Sequence, residues 1–377
     1  MRGRRALAAL VAAMAAAGCH RAFPAGWLYV SAVATDAATV VWTGPDTEVT
    51  CLPNVRIAPA DRSTQGRGLH VVRLQQLSTA TRYACRIGTL GRVRFRTAPS
   101  SDTPFTFAAV GDTGDGSREA AALARRILAG RPAFLIHLGD MAYPSSKPAT
   151  LDTNFFRPYR KVLTRVPLFP TPGNHDLTRP SAYGELFAPI ARDPTRGGPQ
   201  YAFDWGDAHF ASIASPDFGP AADSGWLADD LASPSARRRW RIVFLHEFLF
   251  SAGTKSTVPG LRAHLEPLLE AGGVHLLLTG HSHLYERALP ACLSVATAGV
   301  QEVVSGGGGA NLDPQPPPRP NFPRVLSATH YLRVRVTADA LEVRAVDLSG
   351  HVIDRARRRF GAALPCRADG WPASRAR

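Results

Sequence analysis

Gly280-His281-Ser282-His283-Leu284-Tyr285-Glu286-Arg287 follows the apolar run Val274 to Leu278. That run reads as a buried strand ending at Thr279-Gly280. Histidines at i and i+2 beyond a strand end can point the same way. Such a pair is also common in cores and on surfaces, so its meaning rests on what the rest of the chain supplies. Working outward, further segments repeat the same order of apolar strand and polar turn. Phe105 to Val110 runs into Gly111-Asp112-Thr113-Gly114, and Phe134 to Leu138 into Gly139-Asp140-Met141-Ala142-Tyr143. Pro167 to Pro170 leads to Pro172-Gly173-Asn174-His175-Asp176, and Ile242 to Leu245 leads to His246. Ser117 to Leu128 reads as a helix capped by Ser117, with apolar positions at helical spacing. Strands alternating with helices imply an α/β core whose functional loops lie at strand C-termini.

The remaining stretches complete this unit. Tyr201 to Trp205 and His209 to Ile213 read as antiparallel strands, and Tyr331 to Val336 and Ala340 to Val346 as closing strands. Gly306 to Gly309 and the proline-rich Pro314 to Pro323 read as a flexible loop. Trp226, Leu227 and Leu231 lie at helical spacing and read as packing, while His137, His209 and His275 alternate within strands as core or supporting residues. Ahead of the α/β unit, Trp27 to Val33, Ala38 to Trp42, His70 to Leu74, Thr81 to Ile87 and Val93 to Thr97 carry strand patterns bounded by breakers. No stretch of helical period interrupts them, which predicts a small antiparallel sandwich. Pro99 to Pro104 reads as the linker.

At 377 residues the chain has material for two domains. Its 45% hydrophobic and 20% charged content describe a folded protein. The net charge of +14 admits an anionic partner or simply arginine-rich solvated faces. Arg237-Arg238-Arg239 and Arg357-Arg358-Arg359 are the tight basic runs, without the interleaved aromatics of a nucleic-acid binder, so no specific nucleic-acid partner is expected. Arg2, Arg4 and Arg5 followed by Ala6 to Ala17 form a targeting segment over residues 1–19, too short to span a bilayer. Ala16-Ala17-Gly18-Cys19 resembles a bacterial lipoprotein cleavage site with Cys19 lipidated, though Ala16 stands where such signals usually carry Leu. Plain secretion with cleavage after Ala17 is the alternative. Of five cysteines, removing Cys19 leaves Cys51, Cys85, Cys292 and Cys366, an even set suited to an oxidising compartment. Cys51 with Cys85, and Cys292 with Cys366, are the candidate disulfides. The expected location is exported, as a cell-envelope lipoprotein or a secreted protein.

The strand-end residues form a ligand set. Asp112, Asp140, Tyr143, Asn174, His175, Asp176, His246, His281 and His283 offer carboxylate, phenol, amide and imidazole groups. A mixed oxygen–nitrogen set without thiolate suits Zn, Mn or Fe and argues against a structural thiolate zinc site. Its size suffices for two ions sharing a carboxylate, a geometry used in phosphoryl transfer.

The series Gly-Asp-Thr-Gly, Gly-Asp-Met-Ala-Tyr, Gly-Asn-His-Asp, Val-Phe-Leu-His and Gly-His-Ser-His-Leu-Tyr-Glu-Arg resembles the purple acid phosphatase branch of the calcineurin-like metallophosphoesterases. The resemblance spans Phe105 to Arg355, and the preceding domain is similar to that family's fibronectin-III-like domain. Three details select the branch: Asp112-Thr113-Gly114 replaces the superfamily's Asp-x-His, Tyr143 stands where the branch places its iron-bound phenolate, and Tyr285-Glu286-Arg287 follows the last histidine. The implied fold is an α/β (α+β) metallophosphoesterase β-sandwich flanked by helices, preceded by a small all-β fibronectin-III-like sandwich. The implied division is 1–19 targeting segment, 20–99 β-domain, 104–360 catalytic domain and 361–377 tail.

By position, the resemblance implies Fe(III) held by Asp112, Asp140, Tyr143 and His283. A divalent Fe, Zn or Mn ion would be held by Asn174, His246 and His281, with Asp140 bridging. Hard anionic oxygens suit a trivalent ion, and neutral imidazole and amide a divalent one. A metal-bound hydroxide would attack phosphorus while Asn174 and His175 face the substrate. His175, oriented by Asp176, would serve as catalytic residue and proton donor. The implied reaction is hydrolysis of small-molecule phosphomonoesters. The alternatives are a phosphodiesterase on the same site or a non-catalytic surface-binding protein. One departure stands out. Plant-type members carry further histidines after the fourth motif, whereas here Glu247-Phe248-Leu249-Phe250-Ser251 follows His246, making Glu247 a second candidate for the proton donor. Tyr285 and Arg287 are expected to support the His281 loop. Membrane contact is expected only through Cys19.

Overall fold

The computed structural model describes residues 22–178, 181–187, 200–215, 222–237, 240–290 and 299–362. Seven strands open the chain: β1 (Leu28–Ser31), β2 (Ala38–Thr43), β3 (Val49–Leu52), β4 (Arg62–Gln65), β5 (Leu69–Leu74), β6 (Arg82–Ile87) and β7 (Gly91–Arg96). Strict alternation builds β6 and β7. Tyr83, Cys85, Ile87, Val93 and Phe95 are buried, while Arg82, Arg86, Arg92, Arg94 and Arg96 face solvent. β3, β6 and β7 form one small sheet, in which Cys51 and Cys85 stand directly opposite and are joined by a disulfide. β1, β2, β5 and β4 form the facing layer.

The α/β unit follows with β8 (Phe105–Val110), α1 (Arg118–Ala129) and β9 (Leu135–His137). Ser117 caps α1 by accepting the Ala120 N–H at 3.0 Å, and Leu123, Ala124 and Ile127 are its buried face. α2 (Pro148–Leu151) and α3 (Arg157–Leu163) are joined by a π-helical turn over Asp152–Phe156 and lead to β10 (Leu168–Pro170). Two short helices, α4 (Asn174–Leu177) and α5 (Tyr183–Phe187), precede β11 (Tyr201–Trp205), β12 (Ala208–Ser212), α6 (Ala222–Ala232) and β13 (Trp240–Phe244). The chain continues as α7 (Leu261–Ala271), β14 (Leu276–Thr279), β15 (Tyr285–Arg287), β16 (Gln301–Ser305) and β17 (Arg324–Leu326). It closes with β18 (His330–Val336), β19 (Ala340–Asp347) and β20 (Val352–Arg359).

Two sheets face each other. One orders β11-β12-β13-β14-β16-β15-β17, and the other β20-β19-β18-β8-β9-β10-β1-β2-β5-β4. Aromatic rings fill the space between them: Phe169 stacks on Phe203 at 3.8 Å, and Phe134 meets Phe210 edge-on at 5.4 Å. β8, β9 and β10 run parallel, as do β12, β13, β14 and β16. Their C-terminal ends therefore gather on one edge of the sandwich.

The larger sheet runs through the N-terminal unit, because β1 pairs in parallel with β10 through Ser31 and Leu168. Ser31 Oγ and Tyr29 OH donate to the carbonyls of Leu168 and Leu186. Trp27 stacks on Phe156 at 4.2 Å and donates its indole N–H to Asp152 at 2.9 Å. The linker thus separates two stretches of sequence but not two cores. A second difference concerns Gly306 to Gly309, expected as a flexible loop. These glycines are buried, and a Cβ on Gly306 would come within 2.8 Å of Asp112 Oδ2. The targeting segment with Cys19, Cys292, Cys366 and the tail beyond residue 362 lie outside the described residues.

His209 meets its expectation as a buried supporting residue. Its Nδ1 lies 2.8 Å from Asp204 Oδ1 on β11, and its Nε2 lies 2.8 Å from Asp230 Oδ2 on α6. Burial disfavours its charge, but the two carboxylates outweigh that and raise its pKa to about 9. A pKa raised on folding stabilises fully below the unfolded value, about 6.5, and is lost as pH rises through the folded one. The gap in melting temperature between wild type and His209→Gln is therefore expected to be widest near pH 6 and to narrow towards pH 10. A gap independent of pH would mean that the imidazole is not charged.

Candidate metal centre

The gathered strand ends carry the residues singled out in the sequence. Asp112 follows β8, Asp140 and Tyr143 follow β9, Asn174 to Asp176 follow β10, His246 follows β13, and His281 and His283 follow β14. Asp112, Asp140 and His281 hold left-handed backbone conformations, with φ of 60°, 57° and 64°. For residues bearing a Cβ this costs on the order of 1 kcal/mol or more each, and such strain clusters at functional sites. The loops approach one another through glycine. A Cβ on Gly139 would lie 2.7 Å from both Gly173 N and His246 Nδ1, and one on Gly173 would collide with the Asp140 carboxylate.

The side chains form two adjoining clusters. In the first, Asp112 Oδ1 lies 3.0 Å from the Tyr143 hydroxyl and 3.2 Å from His283 Nε2, and hydroxyl and imidazole are 3.2 Å apart. In the second, His246 Nε2 lies 3.1 Å from Asn174 Oδ1, 3.2 Å from His281 Nδ1 and 3.5 Å from Asp140 Oδ2. Asp112, Asp140 and His246 are buried and lie close enough to share one ion.

The histidines are oriented for coordination. His246 Nδ1, His281 Nε2 and His283 Nδ1 face the carbonyls of Leu138, Ser256 and Asn311 at 2.7, 3.0 and 2.7 Å. A carbonyl only accepts, so each of those nitrogens carries the proton, and the opposite nitrogen turns a lone pair towards the clusters. Two such lone pairs, on His246 and His281, then face each other at 3.2 Å beside two carboxylates. A cation relieves that arrangement. Without one, a proton takes its place: burial opposes charging His246, yet Asp140 and Asp112 raise its pKa to about 9. Burial and the neighbouring His246 lower His281 to about 4. Burial raises the Tyr143 hydroxyl well above its ordinary value, and Asp112 and Asp140 add to the shift. The donor set fits two ions, one beside Asp112, Tyr143 and His283 and one beside Asn174, His246 and His281.

His175 and Asp176 divide differently from expectation. His175 donates its backbone N–H to Asp140 Oδ1 at 3.0 Å, and its ring packs edge-on to Tyr143 with Nδ1 at the Pro144 carbonyl, 2.9 Å away. Pro144, not Asp176, sets the ring orientation. The Asp176 carboxylate accepts instead from the backbones of Gly173, Asp140 and Met141 at 3.0, 2.7 and 3.0 Å and from Ser146 Oγ at 2.6 Å. It clamps the Asp140 loop. Tyr285 and Arg287, expected to support the His281 loop, both bond Asp354 on β20.

Two supporting carboxylates escaped the sequence reading. Glu302 accepts from Leu249 N, Phe250 N and Thr279 Oγ1, and Glu286 from Ala252 N, Ser251 Oγ and Ser282 Oγ. Together they pin the segment after His246 to the His281 loop. Burial raises Glu302 to about 8 and lifts Glu286 as well. The available signal for Glu302 was a carboxylate beside the apolar Val303-Val304 of a strand, and for Glu286 its place inside the Tyr285-Glu286-Arg287 motif. Glu247 is buried, 3.3 Å from Thr257 Oγ1 and 3.6 Å from His281 Nε2. Lys255 Nζ donates to the His281 carbonyl at 2.7 Å and lies 3.6 Å from Asp313, which accepts the His283 N–H at 2.8 Å.

Residues 105–285 match the family described as calcineurin-like phosphoesterase. This chain carries a calcineurin-like phosphoesterase domain. Among curated relatives, the chain is 29% identical over 234 residues to purple acid phosphatase 22 of Arabidopsis thaliana, covering 58% of this chain and 53% of that protein. It is 25% identical over 292 residues to purple acid phosphatase 21 of the same plant, covering 70% and 66%. The chain thus spans about half the length of purple acid phosphatase 22. Among solved structures, the purple acid phosphatase from yellow lupin (Lupinus luteus) seeds superposes with a TM-score of 0.70 at 18% identity, covering 88% of this chain and 73% of that one. PhoD superposes with a TM-score of 0.58 at 12% identity, covering 92% and 94%. These structures share the metallophosphoesterase fold.

Replacing Asp176 by Ala strands three buried backbone N–H groups, those of Asp140, Met141 and Gly173, at about 1–3 kcal/mol each. Denaturant unfolding is expected to show a loss of at least about 3 kcal/mol, and the purified variant to hold less metal. An unaltered midpoint would show that those groups find other acceptors.

Proposed function

We propose that the protein is an exported, dinuclear metal-dependent phosphatase acting on small-molecule phosphomonoesters. The observation that carries this reading is the convergence of the lone pairs of His246, His281 and His283 on Asp112, Asp140, Tyr143 and Asn174. Asp112, Tyr143 and His283 would hold Fe(III), Asn174, His246 and His281 a divalent Fe, Zn or Mn ion, and Asp140 would bridge. When bound, the ions supply charge for the phosphoryl oxygens and a water acidified for attack. The chain supplies the rest. His175, half-buried at the rim with Nδ1 fixed by Pro144, presents Nε2 to the substrate and is placed to hydrogen-bond the phosphate or protonate the leaving oxygen. Preference for monoesters rests on likeness to relatives named as purple acid phosphatases. As further parts of the proposal, the N-terminal sandwich is a fibronectin-III-like module, segment 1–19 directs export, and Cys19 carries a lipid.

Glu247 reads as a neighbour of the divalent half, not as the proton donor, because its closest basic atom is the outer nitrogen of His281. Glu247→Gln is expected to leave the acid and base limbs of the pH–rate profile in place. Loss of one limb would make Glu247 the donor.

The purified, oxidised protein is expected to hold about two ions per chain, including iron, with a broad purple phenolate-to-iron band. Tyr143→Phe should lose the band while keeping the divalent ion. Turnover of p-nitrophenyl phosphate should exceed that of its bis-ester. Two ions without iron would leave a colourless hydrolase, a faster bis-ester would make it a phosphodiesterase, and a protein inert with any metal would overturn the catalytic reading.

A further inference from the structure

Arg357-Arg358-Arg359 does not act as a run. Arg358 turns inward and donates to the carbonyls of His275 and Gly299 at 2.6 and 2.9 Å, while Arg357 and Arg359 face solvent. Strand pairing builds a different cluster. Arg333, Arg344 and Arg355 stand directly opposite one another across β18, β19 and β20, and the next row on the same face is Arg335, Glu342 and Arg357. Five arginines against one glutamate give a net +4, and Arg359 beyond them makes +5, out of +14 for the chain.

These side chains lie on the outer face of the sheet. The alternate residues Leu332, Val334, Leu341 and Val343 are buried in the core. Arg333, Arg335, Arg355 and Arg357 are exposed. Glu342 is shared by Arg344 at 2.9 Å and Arg355 at 3.1 Å. Arg333, Arg335 and Arg357 have no carboxylate within ion-pair distance among the described residues. Like charges directly opposite across strands destabilise a sheet. Guarding an open edge with charge would account for β20 but not for Arg333 and Arg344, because β18 and β19 are flanked on both sides. An external anion is the remaining source of compensation.

We propose that this arginine grid docks the protein on a membrane surface rich in anionic phospholipid. The grid lies on an open sheet face, roughly 10 Å across three strands and about 7 Å between rows, which suits a surface of phosphates better than a single chain in a groove. Guanidinium groups bind phosphate oxygens bidentately, and clusters of about four to eight basic side chains suffice for adsorption to anionic lipid. No aromatic side chain stands among these positions to stack bases, which disfavours single-stranded nucleic acid. Val352, at the start of the same edge strand, is 44% exposed and adds an apolar contact beside the grid.

The test is vesicle co-sedimentation of the full chain carrying Cys19→Ser, so that no acyl chain contributes. Vesicles contain phosphatidylcholine alone or with about one-third phosphatidylglycerol. Binding is expected only to the anionic vesicles, falling steeply as salt is raised to about 0.5 M. The triple variant Arg333→Ser/Arg335→Ser/Arg357→Ser should bind on the order of a hundred-fold more weakly, about five-fold per arginine. Turnover and melting temperature serve as the controls for folding. Glu342→Gln, which removes only the counter-charge, should bind several-fold more tightly. Equal sedimentation with both vesicle types, unchanged binding by the triple variant, or binding of single-stranded DNA without binding of vesicles would each overturn the proposal.

Discussion

Asp140 is the point at which the two sheets and the two halves of the centre meet. Its carboxylate takes the His175 N–H on one oxygen and faces His246 from the other, while its own N–H is held by Asp176. That placement demands a left-handed backbone at Asp140 and a residue without Cβ at Gly173. Strain at Asp112, Asp140 and His281 persists because the surrounding hydrogen bonds over-determine those conformations. The site is preorganised by backbone rather than by flexible side chains, as a site for ions at fixed separation would need to be.

Around this point the protein buries carboxylates that would be costly without partners. Asp176, Glu286 and Glu302 each accept several hydrogen bonds from loop N–H and hydroxyl groups. They replace the regular ladder that the loops lack after leaving the strands. Asp176 serves the Asp140 loop, and the two glutamates serve the segment between His246 and His281. Rigid loops and fixed imidazole tautomers are two consequences of the same requirement: the loop N–H groups and the histidine N–H groups around the centre are given defined acceptors.

The N-terminal sandwich shares this construction. Through Ser31 and Leu168 the larger sheet crosses from one unit into the other; Trp27 seats against the helical segment that follows β9, and Tyr29 against α5, which follows β10. At the opposite end, β18 to β20 widen the same sheet and carry the arginine grid. One sheet therefore connects the sandwich, the metal loops and the charged face.

The strand-end motifs by themselves determined the α/β unit and the positions of the candidate ligands, because a carboxylate or imidazole just beyond a buried strand has a fixed place once strands run parallel. Alternation likewise determined β6 and β7, while the Cys51–Cys85 candidate came from both cysteines lying in the N-terminal β-unit and its pairing from the register of β3 against β6. Tertiary structure alone decided what depends on contacts between distant segments. No local pattern says that β1 pairs with β10, that Gly306 is packed against Asp112, or that Pro144 orients His175 while Asp176 is consumed by backbone. The arginines behave the same way. The visible run at 357–359 splits across two faces because side chains alternate along a strand, whereas the grid joins residues 333, 344 and 355 through register, a property of the sheet and not of any one stretch of chain.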